Sequence, residues 1–174
     1  MLPDGLAVVA LNSSHDRAAF SCGEASLDRY LQQQVNQDKK RDLSRCYVLI
    51  ENQNPAQILG YYTLSAFSVD VGAVPQNTAK GVPYPTIPCV LIGRLAVSGQ
   101  HQGRKLGGLL LSAAVEHALH LKENLGIRLV VVDALNDKAA QFYRHYGFQP
   151  FPADTMKLFL PLTAALVKPV NESN

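Results

Sequence analysis

A short loop rich in glycine and basic residues is the segment of this sequence best suited to hold a phosphate group. Residues 100–108, QHQGRKLGG, lie between an apolar stretch and the start of an amphipathic one. A loop that leads from a buried strand into a helix presents unpaired backbone N–H groups, and glycine lets that backbone approach a ligand closely. The loop carries neither the P-loop pattern nor the dinucleotide fingerprint GxGxxG, so its spacing alone leaves two interpretations open: a phosphate site of another kind, or an ordinary βα turn.

A tyrosine in a later amphipathic segment has the chemistry of a proton donor. Phe142 and Tyr146 are four residues apart and share one face of a helix, which we interpret as the face packed against the core. Tyr143 lies about 100° round the helix from Phe142. The reference pKa of a phenol, about 10, suits a donor better than a base at neutral pH. Tyr143 is therefore either a hydrogen-bond donor to a leaving group or a structural residue.

Two sets of basic residues could contact a substrate. Residues 39–41, Lys-Lys-Arg, form a run with Arg45 close behind and an aspartate on each side. This run could either contact phosphate groups or form a solvated helix end. Arg94 lies in an apolar strand and needs a partner if it is buried, either in a structural ion pair or in a substrate contact.

Composition places the chain among globular proteins. It has 174 residues, of which 47% are hydrophobic and 17% charged, and we expect one domain over residues 1–174 with its core over about 6–162. The net charge of +2 permits an anionic partner without requiring one. Cys22, Cys46 and Cys89 are widely spaced without a CxxC pair, which predicts small, buried, reduced residues and neither a disulfide framework nor a metal site. No leader pattern or bilayer-length apolar segment is evident, so we expect a soluble, cytoplasmic protein.

Hydrophobic periodicity predicts the elements that must position these residues. Their order is β-α-α-β-β-β-α-β-α-β-β, a mixed α/β sheet with helices on its faces. The strand at 128–133 contains LVVV, typical of a strand buried on both faces, and follows a crossover helix, so it should run parallel to the strand at 90–97. Asn136 is a predicted N-cap and Gly147 a predicted left-handed C-cap. The other predicted strands are 6–11, 46–51, 57–71 and segments of 148–162. One predicted helix begins at Ser26, and two others span 106–121 and 136–146. The proline-rich residues 72–88 are predicted to form a loop.

Two stretches resemble the signatures of the GCN5-related N-acetyltransferases (GNAT). Leu95-Ala96-Val97 followed by residues 102–107, QGRKLG, is similar to the acetyl-CoA signature Q/R-x-x-G-x-G/A, and residues 136–148, NDKAAQFYRHYGF, resemble the second signature N-x-x-A-x-x-F-Y-x-x-x-G-F. Order and spacing agree with the family, but Lys105 stands at the first glycine of the signature. The resemblance implies a twisted, mostly antiparallel sheet of about six to seven strands with about four helices, and an acetyl-CoA cleft between two splayed parallel strands.

The resemblance also assigns site residues, with acetyl-CoA as the co-substrate and no metal. The backbone of Leu95, Ala96 and Val97 would pair with the pantetheine arm, and Tyr143 would protonate the departing thiolate. A side chain at Lys105 would either crowd the pyrophosphate or contact it through its ammonium group. The other cofactor-binding residues implied lie in the pyrophosphate loop and at the start of the second signature: Gln102, Gly103, Arg104, Leu106, Gly107, Gly108 and Asn136.

A narrower resemblance, carried by residues 20–31, 60–65 and 84–97, is to the GNAT toxins of toxin–antitoxin systems. It implies acetylation of the α-amino group of aminoacyl-tRNA, which blocks translation, and a ribbon-helix-helix antitoxin of a type II system; a homodimer is also possible. An α-amino group has a reference pKa of about 7.7–8.0 and is partly neutral at pH 7, so no strong base is required. An acetyltransferase of a small-molecule or protein amine stays an alternative, as does a non-catalytic acyl-CoA-binding module, which Lys105 favours and Tyr143 opposes. The candidate tRNA contacts are Lys39, Lys40, Arg41, Arg45, Arg94 and Arg144.

Overall fold

The elements occur in the predicted order. A computed structural model describes residues 2–163 of the chain. Within them, the strands are β1 (Leu6–Ala10), β2 (Arg45–Glu51), β3 (Gly60–Asp70), β4 (Thr86–Val97), β5 (Leu129–Asp133), β6 (Gln149–Phe151) and β7 (Asp154–Pro161). The α-helices are α1 (Ala25–Arg29), α2 (Val35–Lys40), α3 (Leu106–Lys122) and α4 (Asp137–His145). A π-helical turn, Tyr30–Gln34, joins α1 to α2, and 3-10 turns lie at Val71–Ala73 and Gly99–His101.

The strands form one sheet in the order β1-β2-β3-β4-β5-β7-β6. β4 and β5 are parallel, with Cys89 opposite Leu129 and Ile92 opposite Val132. The pairs β1–β2, β2–β3, β5–β7 and β6–β7 are antiparallel. Leu129 and the valines that follow it in β5 are fully buried, as a continuous apolar run predicts. The prediction of a mixed, mostly antiparallel sheet is confirmed.

The described residues divide into two compact units, residues 2–65 with 93–114 and residues 66–92 with 115–163. In the first unit, the core joins Tyr30, Leu31 and Val35 of the helical segment to Val48 and Tyr61 of the strands. The core of the second unit is a cluster of strand residues that includes Ile87, Cys89, Leu129, Val131 and Phe159. Organisation as a single domain stays a prediction.

The helical segment of the first unit begins at Ala25, one residue earlier than predicted. Its apolar residues recur at helical spacing, so one face is buried. At the π-helical turn, the N–H of Val35 donates to the carbonyl of Tyr30, five residues earlier. Adjacent residues Tyr30 and Leu31 are both buried in this turn.

Two predicted boundaries are wrong. Residues 57–59 precede β3 instead of belonging to it, because the N–H of Gln57 closes a turn on the carbonyl of Asn54 at 3.2 Å. β4 begins at Thr86, so the end of the predicted 72–88 loop is strand. Pro88 has no N–H to donate, but its carbonyl accepts a hydrogen bond from the N–H of Arg128 at 2.9 Å.

Both caps of α4 are confirmed. The side chain of Asn136 accepts a hydrogen bond from the N–H of Ala139 at 2.9 Å. Gly147 has a φ of +97° just beyond the helix, the left-handed conformation that glycine adopts without a steric penalty. These caps fix where Tyr143 lies on the helix.

Candidate functional site

The end of β4, residues 95–97, is held closely against β3 in the first unit. A Cβ atom at Gly60 would lie 2.8 Å from the carbonyl oxygen of Ala96, so this approach of two backbones requires glycine. The N–H of Ser98 donates to the carbonyl of Leu59 at 2.8 Å, and Ala96 is buried. The backbone proposed for the pantetheine arm therefore belongs to a tightly packed strand end.

The glycine-rich loop after β4 has two residues in left-handed backbone conformations. Gly103 has a φ of +86° and Lys105 a φ of +58°. A Cβ atom at Gly103 would meet nothing within 4 Å, so φ alone requires glycine there. Residues 102–105 are exposed, whereas Leu106 and Gly108 are buried, so Leu106 could meet a ligand only through its backbone. The open space and the exposed backbone ahead of α3 fit a phosphate group.

The side chain of Gln102 is committed to the protein itself. Its Nε2 donates to the carbonyl of Cys22 at 2.9 Å and to that of Val97 at 3.2 Å. The N–H of Gly99 donates to the carbonyl of Ser21 at 2.7 Å. Sequence reasoning missed the role of residues 21–22, which tie down the loop through carbonyl groups that leave no side-chain pattern. The side chain of Gln102 therefore positions the loop.

The two cations of the loop differ in their surroundings. Arg104 donates to the carboxylate of Glu51 at 3.2 Å, and both side chains are partly exposed. An exposed pair of this kind contributes less than about 1 kcal/mol, so a phosphate could compete for the guanidinium. Lys105 is exposed in its left-handed conformation, which explains in physical terms why a glycine suits this position of the signature.

Tyr143 lies on the buried face of α4, in the second unit. It is 5% exposed, and its ring contacts Phe142 and Phe148 at centroid distances of 5.3 Å and 5.7 Å. Burial raises the pKa of Tyr143, and the nearby carboxylate of Asp133 raises it further. The phenol therefore stays protonated at neutral pH and can donate a proton but cannot act as a base.

The interpretation that Phe142 and Tyr146 face the core is wrong. Both are only half-buried, with their rings edge to face at 5.1 Å, whereas Ala140 and Tyr143 are the buried residues of α4. The spacing of four identified a shared face correctly but could not say which face turns inward. Arg144 is exposed in the last turn of the helix.

The side chain of Asn136, predicted as a cofactor residue, is used as the N-cap of α4. The side-chain oxygen of Asn136 therefore already accepts a hydrogen bond from the backbone of its own helix. A contact of Asn136 with acetyl-CoA stays a prediction.

The basic run lies at the exposed C-terminal end of α2. Lys39, Lys40 and Arg41 are exposed. Of the flanking aspartates, Asp38 accepts a hydrogen bond from the hydroxyl of Tyr30 at 2.9 Å, and Asp42 pairs with Arg45 at 2.8 Å.

A cavity of about 50 Å³ borders this run, with Lys39, Arg45 and Tyr47 in its lining. It is far smaller than the several hundred Å³ of a typical ligand pocket. Contact with RNA here would therefore take place on the surface.

Arg94 is half-buried, and its guanidinium carbon lies 3.5 Å from the centroid of the Tyr30 ring. The described contact is thus with the face of an aromatic ring, which neither of the two predicted alternatives anticipated. A cation over such a ring is attracted by its electron-rich face. Sequence reasoning could not find this partner, because 63 intervening positions separate the two residues along the chain.

Cys22 and Cys89 are buried as predicted, whereas Cys46 is only partly buried. Burial raises the pKa of Cys22 and Cys89 to about 11 and that of Cys46 to about 12. Their thiols are therefore neutral at pH 7 and poor nucleophiles.

Among residues 2–163, no group of three or more potential metal ligands comes together. No helix in that range is both long and apolar enough to cross a membrane.

Curated relatives of the chain are bacterial toxins. It is 34% identical over 150 residues to a tRNA-acetylating toxin of Mycobacterium tuberculosis (strain ATCC 25618 / H37Rv), covering 86% of this chain and 88% of that protein. It is 28% identical over 156 residues to a probable toxin TacT of Sinorhizobium fredii (strain NBRC 101917 / NGR234), covering 85% and 86% of the two chains.

The chain also superimposes on solved structures over about nine-tenths of its length. A mutant of KacT superimposes with a TM-score of 0.85 at 29% identity, covering 92% of this chain and 96% of the other. AtaT in complex with acetyl-methionyl-tRNAfMet gives 0.84 at 32% identity, with coverage of 91% and 95%. A mutant AtaT bound to the C-terminus of the antitoxin AtaR and to acetyl-CoA gives 0.77 at 29% identity, with coverage of 92% and 95%.

The family model described as the acetyltransferase (GNAT) domain matches residues 42–150, which is more than half of the chain. This range includes β4, the glycine-rich loop, and the helix that carries Tyr143. The chain is thus an acetyl-CoA-dependent N-acetyltransferase and belongs to the GNAT family.

Proposed function

We propose that this protein transfers the acetyl group of acetyl-CoA to the α-amino group of an aminoacyl-tRNA and thereby blocks translation as a toxin. The observation that carries the proposal is the likeness, over nine-tenths of the chain, to AtaT in complex with acetyl-methionyl-tRNAfMet. The similarity to a tRNA-acetylating toxin at 34% identity supports it independently.

The residues of this chain fit the binding of acetyl-CoA, which supplies an activated thioester. The backbone of Leu95, Ala96 and Val97 pairs with the pantetheine arm. The exposed backbone of residues 102–105 and the first turn of α3 hold the pyrophosphate, with charge from Arg104 and Lys105. Asn136 completes the proposed cofactor set.

Tyr143 acts as the general acid of the reaction. The neutral α-amino nitrogen forms a C–N bond to the acetyl carbon while the C–S bond breaks, and the amine loses a proton to solvent. The phenol of Tyr143, which its raised pKa keeps protonated at neutral pH, gives its proton to the departing thiolate and then regains one from solvent. No strong base is needed because an α-amino group is partly neutral at pH 7.

Exposed cations on two helices contact the tRNA backbone. Lys39, Lys40 and Arg41 lie at the end of α2 and Arg144 at the end of α4, and all four are exposed. Arg45 lies beside the run at the end of α2, where it donates to the carbonyl of Lys39 at 3.4 Å, although its pairing with Asp42 weakens its charge. Because cations that engage phosphates release counterions, affinity for tRNA should fall steeply with salt.

The experiment that tests this function is a salt titration of aminoacyl-tRNA acetylation. Changing Lys39, Lys40 and Arg41 to glutamine should raise KM for aminoacyl-tRNA and reduce the salt slope by about one unit per lost contact, without changing acetyl-CoA affinity. Lys122→Gln, at the exposed end of α3, is the matched control. Equal rates at low and high salt would instead favour a small-molecule or protein amine as acceptor.

An antitoxin of the ribbon-helix-helix type neutralises the protein in the cytoplasm, where aminoacyl-tRNA is made, as expected of a type II system. The bound antitoxin segment of the AtaT relative supports this assignment. Induced expression should arrest growth, and co-expression of a short ribbon-helix-helix protein encoded alongside should restore it; growth unaffected by induction would contradict the assignment.

A further inference from the structure

Arg94 occupies a position of β4 where an apolar side chain would be expected. It is two residues before Ala96 and so shares a face of the strand with it. Ala96 belongs to the same buried cluster as Tyr30 and Tyr61. The guanidinium carbon of Arg94 lies 3.5 Å from the centroid of the Tyr30 ring, and we call this contact the Arg94–Tyr30 stack. The aromatic face compensates for placing a cation at the border of an apolar core.

Tyr30 is a rigid platform because its hydroxyl is hydrogen-bonded and its ring is stacked on another. It is 4% exposed. Its hydroxyl donates to Asp38 at 2.9 Å and lies 3.0 Å from the hydroxyl of Ser44. Its ring stacks on that of Tyr61 at 6.5 Å with 17° between the planes. The position of Arg94 over this ring is therefore well defined.

Tyr61 connects the platform to the end of β4. It is fully buried, and its hydroxyl donates to the carbonyl of Leu27 at 2.6 Å. Its neighbour Gly60 makes the close backbone approach to Ala96. The Arg94–Tyr30 stack thus lies beside residues 95–97 and connects that strand end with the helical segment.

The chain adopts an uncommon helical turn to present Tyr30. The π-helical turn begins at this residue, whose carbonyl accepts from the N–H of Val35. Such turns are rare and occur frequently at functional sites. Here the turn allows Tyr30 to lie under Arg94 while Leu31 is fully buried in the core.

We propose that Arg94 is a positioning residue, which fixes the end of β4 through the Arg94–Tyr30 stack and thereby sets the affinity for acetyl-CoA. This inference rests on the proposed role of residues 95–97 in binding the pantetheine arm. It separates Arg94 from the exposed cations that contact tRNA phosphates. Arginine suits this task better than lysine, because its planar group stacks on a ring.

The test measures acetyl-CoA affinity by calorimetry without acceptor, together with KM for aminoacyl-tRNA. Arg94→Met and Tyr30→Leu should each weaken acetyl-CoA binding by about fivefold, the scale of one partly buried cation–ring contact. The double variant should be no weaker than either single one, because both remove the same contact. Arg94→Lys should lie between wild type and Arg94→Met, which keeps a test available if Tyr30→Leu does not fold. Arg29→Met, an exposed arginine next to Tyr30, is the matched control and should bind normally.

Two outcomes would overturn the proposal. If Arg94→Met raises KM for aminoacyl-tRNA and lowers its salt slope, while Tyr30→Leu leaves both unchanged, Arg94 is a phosphate contact. If the variants unfold at lower temperature but bind acetyl-CoA normally well below their melting temperatures, the stack is only structural. Because binding is measured without acceptor, failure to acetylate aminoacyl-tRNA would count against the proposed function and leave this inference standing.

Discussion

Replacing Lys105 with glycine should give a more stable protein than replacing it with alanine. Lys105 has a φ of +58°, and the left-handed region costs an L-residue about 1–2 kcal/mol. Glycine avoids that cost but loses about 0.5–1 kcal/mol more conformational entropy on folding. The net advantage of glycine over alanine at this position is therefore about 0–1.5 kcal/mol. Alanine keeps the strained Cβ, and both variants lose the rest of the lysine side chain, so the difference between them reports the backbone strain alone.

Urea unfolding of the variants measures these differences, and the m-value should not change. Gly103→Ala is the control in the same loop. Because Gly103 has a φ of +86° and open space around it, alanine there adds about 1–2 kcal/mol of strain and recovers about 0.5–1 kcal/mol of conformational entropy, so the net cost should be about 0–1.5 kcal/mol. If Lys105→Gly is less stable than Lys105→Ala, the left-handed backbone is not a source of strain and the reasoning fails.

The same variants also distinguish two effects of Lys105 on the co-substrate. If its ammonium contacts the pyrophosphate, Lys105→Ala should weaken acetyl-CoA binding by about two- to fivefold, as expected for an exposed charge contact, and flatten its salt dependence. Tighter binding by Lys105→Gly would show that the side chain crowds the site. Equal affinity and equal salt dependence in all three proteins would remove Lys105 from the cofactor site.

Three further perturbations test the site and its support. Tyr143→Phe should fold and bind acetyl-CoA normally but lower kcat by about 100-fold or more, the scale of a lost general acid; unchanged kcat at saturating substrates would remove Tyr143 from the mechanism. Gln102→Glu should cost about 1–2 kcal/mol in urea unfolding and weaken acetyl-CoA binding, because a carboxylate cannot donate to the carbonyls that now accept from this side chain; wild-type stability would contradict that positioning role. Since the thiol pKa values are raised in the fold, the unfolded chain releases its protons first, so stability should be complete below about pH 9 and fall as pH rises toward 11–12. Exchange of the three cysteines for alanine should flatten that decline in urea midpoints, and an unchanged decline would assign it to other groups. The cysteines concerned are Cys22, Cys46 and Cys89.

Local signals in the sequence predicted the order of the elements and the parallel pair β4–β5, whereas the mostly antiparallel pairing was implied by the family resemblance. The LVVV run of β5 predicted a buried parallel strand, and Asn136 and Gly147 predicted both ends of α4, because burial and capping depend on residues close together in the chain. The inclusion of Pro88 in β4 was not predicted. A proline fits a strand only where no hydrogen bond from its N–H is needed, and that depends on the neighbouring strand. Such information is absent from one segment taken alone.

The candidate site was predictable only as far as its chemistry is local. The left-handed Lys105 could be located by its departure from a glycine signature. The contacts of Gln102 and Arg94, in contrast, join positions far apart in the chain, through backbone carbonyls and one ring face. Periodicity says nothing about such partners. For residues that support others, sequence reasoning therefore named Gln102 and Arg94 themselves but missed the partners through which they act.

The most direct measurement is to incubate the purified protein with acetyl-CoA and charged tRNA and to identify the 3′-terminal aminoacyl adenosine by mass spectrometry after ribonuclease digestion. We expect N-acetylated aminoacyl adenosine to form with at least one aminoacyl-tRNA. None should form from uncharged tRNA or from a charged tRNA whose α-amino group is already formylated. If no aminoacyl-tRNA is acetylated under conditions in which a small amine or a protein amine is acetylated, the central claim is wrong.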